Sequence, residues 1–375
     1  MFMTGVFTMQ IDPKVLKKDE EIAYKLRSLY RRFGYSQYTM SKFEEYSLYA
    51  KNKDFLISDA IISFTDTHGR LMALKPDVTL SIINNSQDAA GHVQKMYYDE
   101  NVYRLPKGAH SFKEIKQTGL ECIGDITCLE VCEVIMLALR SLESISDEYI
   151  FEISHVGLLE ALLDEAALPH KAEKRVLSCI ISKNTGELEQ IFEELNLCEE
   201  KKAKLEVFFR NFQSFAEALE AFGKVCTGEE SAKALSEFET VLNFISSTSF
   251  AKHTKVNFSL TNNMNYYSGI AFRGYISGVP TGILSGGQYD NLMKKMGRKA
   301  RAVGFAVYLD ALKRLGGDDR EYDVDIILLA GDDIAAAIRA AETLSFDNTS
   351  VRICSEIPQD ITYRQVLSIA GKGAK

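Results

Sequence analysis

Gln117-Thr118-Gly119-Leu120-Glu121 continues a β-rich run that begins at Ile115, and alternation along a strand turns Gln117, Gly119 and Glu121 to one face. Upstream, Leu74-Lys75-Pro76-Asp77-Val78-Thr79 carries a strand end into a Pro-Asp turn followed by a hydroxyl. Two carboxylates and an amide can thus converge, a set suited to a cationic ligand because charge-assisted hydrogen bonds to an ammonium or imidazolium are the stronger kind. Taken alone, an Asp after Pro is a turn former. Further short β-rich runs, Ile61–Phe64, Leu71–Leu74 and Val93–Tyr98, are punctuated by His68-Gly69, Pro76-Asp77 and Pro106-Lys107-Gly108 and predict an antiparallel sheet.

Outward from this block, Lys14–Phe33 shows apolar residues at helical spacing and ends at Gly34, which predicts an opening amphipathic helix. Cys128–Leu142 reads as a helix and Tyr149–Ile153 as a strand. Lys171–Thr248 is rich in helix formers and has no proline, so a helical insertion is expected there. Inside it Leu205, Phe208, Phe209, Phe212, Phe215, Leu219 and Phe222 form a stripe that reads as a helix–helix packing seam. Strand texture resumes at Val256–Leu260, Ile270–Ile276 and Gly282–Leu284, before a helix pattern over Phe305–Leu315. Gly316-Gly317-Asp318-Asp319 is the best linker. Beyond it Val324–Leu329, Ile334–Leu344 and Val351–Cys354 imply a small α/β unit.

Three more clusters carry potential chemistry. They are Asn265-Tyr266-Tyr267-Ser268-Gly269, Ser285-Gly286-Gly287-Gln288-Tyr289-Asp290 and Ala302-Val303-Gly304-Phe305-Ala306. Paired tyrosines on a strand are core in most proteins, and Gly-Gly serves a tight turn as readily as a close backbone approach to a ligand.

Composition narrows the class. The chain has 375 residues, 46% hydrophobic and 26% charged, which is ordinary globular usage in two or three domains. Acidic residues outnumber basic ones 52 to 44, and no Lys/Arg block resembles a nucleic-acid footprint. The local basic run Lys294–Arg301 reads as a solvated face, with contact to an acidic partner or phosphate as the sharper alternative. Seven scattered cysteines without a Cys-x-x-Cys argue for a reducing cytoplasm, and Cys122, Cys128 and Cys132 lack a histidine at zinc spacing, so no metal is expected. His68 and His155 lack a nucleophile nearby. No secretory signal and no apolar run of the ~18 residues that a membrane span needs is read.

In order and separation, the five clusters resemble the catalytic core of class II aminoacyl-tRNA synthetases, specifically histidyl-tRNA synthetase and its paralogue, the regulatory subunit of ATP phosphoribosyltransferase. The resemblance covers about residues 11–316. Leu74–Thr79 looks like the family's Leu-Arg-Pro-Glu-Gly-Thr element, Tyr97–Glu121 like motif 2, and Asn265–Gly269 and Gly286–Asp290 like its Asp-Tyr-Tyr and Gly-Gly-Arg-Tyr-Asp elements. It implies an α+β fold: a class II synthetase-like antiparallel sheet flanked by helices, with a helical insertion and a short C-terminal α/β remnant of an anticodon-binding domain. The implied domains are 1–168 with 249–316, then 169–248, then 317–375. It further implies a histidine pocket in which Asp77, Thr79 and Gln117 hold the ammonium and Glu121 and Tyr267 bracket the imidazole. Tyr266 belongs to the same set, Tyr289 closes it, and Arg104 faces a carboxylate or phosphate.

Departures from the pattern carry as much meaning. Asn262 stands where the histidine-specific arginine is expected, and Ala311 where motif 3 ends in an arginine. Met40-Ser41-Lys42 replaces the motif 1 proline. Removing one fixed donor at a site of developing charge costs roughly 10²–10³ in rate. These losses therefore point to a non-catalytic regulatory subunit with no catalytic residues. Implied with it are L-histidine as allosteric ligand in place of any cofactor, a homodimer within a hetero-oligomer, and a short catalytic ATP phosphoribosyltransferase subunit as partner, without tRNA or membrane. A divergent histidyl-tRNA synthetase is the alternative.

Overall fold

The computed structural model describes residues 16–56, 60–86, 91–105, 110–263, 266–314, 321–345 and 349–369, with the backbone alone at 261–263 and 313–314. The opening helix α1 (Lys18–Arg32) has three acids in its first turn and Arg31 and Arg32 in its last, which suits the helix dipole, and it buries Ile22, Leu26 and Tyr30. Gly34, at φ +82°, ends it. β1 (Ser36–Gln37), β2 (Phe43–Glu45), α2 (Tyr46–Ala50), β3 (Ser63–Thr65), β4 (Leu71–Leu74) and α3 (Val78–Asn85) follow. β2, β4 and β3 make a small antiparallel sheet in that order.

Two long strands, β5 (Val93–Arg104) and β6 (Lys113–Gly124), lead to α4 (Cys128–Glu143), which a Thr127/Glu130 capping box starts. Then come β7 (Tyr149–His155), α5 (Val156–Ala166) and the helices α6 (His170–Ser182), α7 (Thr185–Glu194), α8 (Glu199–Glu206), α9 (Phe215–Val225) and α10 (Glu229–Ser246). β8 (Thr254–Val256), β9 (Ile270–Ile276), β10 (Leu284–Gln288), α11 (Asp290–Lys295) and β11 (Arg301–Tyr308) complete this part. The main sheet has the order β1-β5-β6-β11-β10-β9-β7-β8. Its six central strands pair antiparallel, as expected; the edge pairs β1·β5 and β7·β8 are parallel, so the sheet is mixed.

The two faces of this sheet bury different cores. One face, with Leu120, Val303, Phe305, Phe272 and Leu284, packs on α1, α4 and α5, and Val176, Phe222 and Phe238 of the helical stretch belong to the same continuous core. The other face carries Tyr98, Val102 and Ile123 against α2, α3 and α11 through Tyr49, Val78, Ile82, Leu292 and Met293. The candidate site opens on this second face.

Four local expectations are corrected. Phe305–Leu315 is not a helix: β11 runs to Tyr308 and a 3₁₀ turn, Leu309–Arg314, follows. Ala302, Gly304 and Ala306 alternate with Val303, Phe305 and Val307, and because both faces are covered the period of two shows no polarity. The phenylalanine stripe is not one helix, since α8 passes into a 3₁₀ turn at Val207–Phe209, and Ser214 caps a new helix by accepting from the Glu217 amide. Its rings still meet: Phe222 lies 5.6 Å from Phe208 and 5.1 Å from Phe258. Val256–Leu260 is strand only to Val256, and Tyr266 and Tyr267 precede β9 rather than lying on it.

The chain divides into a unit spanning Lys18–Leu315 and a second that takes in Gly316–Lys375. In the second, β12 (Val324–Leu329), α12 (Ile334–Leu344), β13 (Val351–Cys354) and β14 (Tyr363–Ser368) form a parallel sheet, β13-β12-β14. Asp333 caps α12 through the Ala336 amide. The linker Gly316–Asp319 lies outside the described residues, as do Asn265 and Pro106-Lys107-Gly108.

Candidate functional site

Register decides what faces the site. Antiparallel partners share a face, so Gln117, Gly119 and Glu121 of β6 align with Tyr308, Ala306 and Gly304 of β11. Across the next strands they align with Ser285 and Gly287 of β10. Glycine and alanine make this floor low. A Cβ on Gly304 would run into the Glu121 carboxylate and the Leu120 carbonyl, which is why the position carries none.

Above the floor lies a pocket of about 360 Å³, within the ordinary range for small-molecule sites. Asp77, Thr79, Arg104, Gln117, Glu121, Tyr266, Tyr267 and Tyr289 all line it, although they come from five separate segments of chain. The Pro-Asp turn proves to be a helix start: Asp77 caps α3, its Oδ1 accepting from the Leu80 amide at 3.0 Å. Its other oxygen accepts from an Arg104 guanidinium nitrogen at 3.1 Å, and Arg104 Nε donates to the Pro76 carbonyl at 2.5 Å. Arg104 is thus committed to the protein on two of its nitrogens, where the sequence reading turned it toward a ligand.

Glu121 is the buried centre. The Thr79 hydroxyl donates to its Oε1 at 2.7 Å and the Tyr289 hydroxyl to its Oε2 at 2.5 Å. Burial nonetheless pushes its pKa up to about 8, against the pull of Tyr289 and Thr79, with the nearby Asp77 charge adding to the rise. Burial likewise raises Asp77 while Arg104 holds it down. The Gln117 amide, by contrast, is buried to 2% exposure yet has no side-chain hydrogen bond among the described residues. It is a polar group left open to a ligand.

Sequence reading did not assign to the pocket Tyr98, Tyr308, the pair Leu177 and Ile181 of α6, or Ser285, which it quoted only within a cluster; all of them line it. Ser285 and Tyr308 hydroxyls lie 2.7 Å apart. Period-two register from Gln117 would have found Tyr308. Nothing local in the sequence links α6 to β6. Ala311 packs against the sheet's helical-side core and does not line the pocket, and the Asn262 backbone sits in the 3₁₀ turn Phe258–Asn263. Among the described residues no cluster of histidine, cysteine and acidic side chains could hold a metal, and no helix is long and apolar enough to cross a membrane.

The chain is 27% identical over 306 residues to an ATP phosphoribosyltransferase regulatory subunit of Oceanobacillus iheyensis, covering 81% of this chain and 75% of the relative. It is 28% identical over 337 residues to a histidine–tRNA ligase of Methanocaldococcus jannaschii, covering 88% and 79%. Among solved structures, an ATP phosphoribosyltransferase regulatory subunit/histidyl-tRNA synthetase from Bacillus halodurans shares the fold at TM-score 0.78 and 24% identity, covering 98% of this chain and 99% of that one. The family model described as histidyl-tRNA synthetase matches residues 8–312, the stretch that holds the whole sheet and every pocket residue named above, and the chain belongs to that family.

Proposed function

We propose that this protein is a non-catalytic regulatory subunit of an ATP phosphoribosyltransferase, the enzyme that opens histidine biosynthesis, and that it binds L-histidine in the pocket over β6. The observation that carries the reading is that the eight residues assigned to the amino-acid side converge in one pocket, while Ala311, where an arginine is expected, packs against the helical-side core and does not line it. A paired Asp77 and Arg104, an open Gln117 and a buried Glu121 suit the ammonium and the basic ring of a small amino acid. The name of the Oceanobacillus relative supports the same role. In this role the chain forms a homodimer, assembles with a short catalytic subunit and works in the cytoplasm. Feedback requires histidine to bind two assembly states with different affinity, since a ligand indifferent to state shifts nothing.

The test is phosphoribosyl transfer by the short catalytic subunit of the same organism, with and without this chain, over a histidine titration. Activity that rises with the chain and becomes histidine-sensitive is the expected outcome. No change in rate or in histidine response refutes it. The competing synthetase reading is favoured by the match to the Methanocaldococcus ligase, and histidine-dependent ATP–pyrophosphate exchange by the pure protein would establish it.

A further inference from the structure

An amino acid is a zwitterion, and the pocket's charges do not balance one. Asp54, Asp77 and Glu121 are acids, and among the described residues the only cation lining the pocket, Arg104, is already paired with Asp77. Directly across β10 from Ser285, however, β9 carries Arg273 on the same face of the sheet. Its stem lies over Gly282, where a Cβ would collide with the arginine's Cγ and Cδ at 2.9 and 2.8 Å, so the missing side chain at 282 lets Arg273 lie along the sheet.

Arg273 is half-buried and, among the described residues, has no ion pair. The sheet's other arginines differ: Arg104 pairs with Asp77 at 3.1 Å and Arg301 with Asp290 at 2.9 Å. The acid opposite Arg273 on β7 is Glu152, which instead accepts from the Asn257 amide at 2.9 Å. On the pocket side, Arg273 acts electrostatically on Tyr267, a pocket residue near Ser285 and Tyr308. A half-buried cation without an acid is costly unless something anionic meets it.

The span also fits. From β6 to β9 the sheet steps through β11 and β10, so Glu121 and Arg273 stand on strands roughly 14 Å apart at ordinary strand spacing. Glu121 is in register with Ala271, two residues from Arg273, and Arg273 does not itself line the cavity, so its guanidinium would meet a ligand from the Ser285 and Tyr308 end. We infer that Arg273 receives the carboxylate of the pocket's amino-acid ligand, with the Ser285 and Tyr308 hydroxyls beside it, and so selects a free amino acid over its decarboxylated or reduced analogues. This rests on the proposed histidine pocket.

The test is calorimetric titration of the purified full chain and of Arg273→Gln and Arg273→Lys with L-histidine, with L-histidinol, which lacks the carboxylate, and with ATP. Arg273→Gln is expected to weaken histidine about 10- to 100-fold, as for a charged hydrogen bond, and to leave histidinol within about twofold, with Arg273→Lys between. Unchanged histidine affinity in Arg273→Gln overturns the inference. So does equal loss of histidine and histidinol, the mark of a purely structural arginine. Loss of ATP binding with histidine spared overturns it in favour of a phosphate contact. Wild-type protein that binds no histidine removes the pocket reading itself, a result distinct from all of these.

Discussion

Glu121→Gln replaces the buried acid by a neutral group of the same shape, and its effect on stability follows from where the proton sits. Burial raises the carboxyl from 4.5 to about 8 in the folded chain. Between those values the folded state holds a proton that the unfolded state has released. The contribution to stability therefore falls as pH rises, the reverse of an ordinary salt-bridged carboxylate. At about 1.4 kcal/mol per unit, the full penalty is on the order of 4–5 kcal/mol; it is below about 1 kcal/mol at pH 5 and nearly complete above pH 8. Glutamine carries no such penalty, so wild type and Glu121→Gln differ by a constant plus this term, and other titrations largely cancel between them. Urea unfolding of both proteins at unit steps from pH 5 to 9 reads the difference directly. Stability of the variant relative to wild type is expected to rise by on the order of 4 kcal/mol across that range. A difference flat to within about 1 kcal/mol would refute the reasoning, because it would mean that Thr79 and Tyr289 stabilise an ionised Glu121 at every pH tested.

Two further outcomes test the scaffold. Lys75, 1% exposed, pairs with Glu100 at 2.5 Å, so Glu100→Gln, which strands a buried ammonium, should cost about 3 kcal/mol at pH 7, and Lys75→Met distinctly less, in the same unfolding assay. Phe222→Ala should cost about 3–5 kcal/mol and lower a single unfolding midpoint for helices and sheet together, since Phe222 lies in the core that continues to Phe272; a separate early transition of the helical stretch would contradict this.

Much of the fold was legible where periodicity and punctuation agree. β4, β9, β12, α12 and β13 fall at their expected bounds, and α1 stops at Gly34 as its sequence predicts. Two of the failures share one cause: β11 and the stretch around Phe208–Phe222 are apolar on more than one side, so their period carries no contrast between core and solvent. At the site, alternation placed Gln117 and Glu121 on one face, and the resemblance supplied the remaining pocket residues. Neither revealed that Arg104 is spent on Asp77 and Pro76, or that Leu177 and Ile181 reach the same cavity, because both depend on contacts between segments far apart in sequence. Arg273 was invisible for the same reason: its meaning comes from Ser285 across the strand and from the acid it does not pair with.

The hydrogen bonds around Glu121 also constrain how a ligand would act. Each of its oxygens already accepts one hydroxyl, from Thr79 of α3 and from Tyr289, so a ligand bonded to Glu121 shares the carboxylate with both of them or takes the place of one. Thr79 lies in the first turn of α3, whose cap, Asp77, is held by Arg104 at the end of β5. Two residues on, the Ser81 hydroxyl donates to Glu44 of β2, and the Tyr49 hydroxyl of α2 donates to the same carboxylate at 2.7 Å. The helix that answers to Glu121 at one end is therefore fastened, through Glu44, to the small sheet. Displacing Thr79 loads that fastening, whereas displacing Tyr289 loads the junction of β10 and α11, where Tyr289 stands. A ligand distinguishes two states of the chain only through bonds it makes in one and not the other. Here the bonds at stake are those that Glu121 already has: a ligand that replaced Thr79 would change a contact of α3, the helix fastened to the small sheet through Ser81 and Glu44, and one that replaced Tyr289 would change a contact at the start of α11.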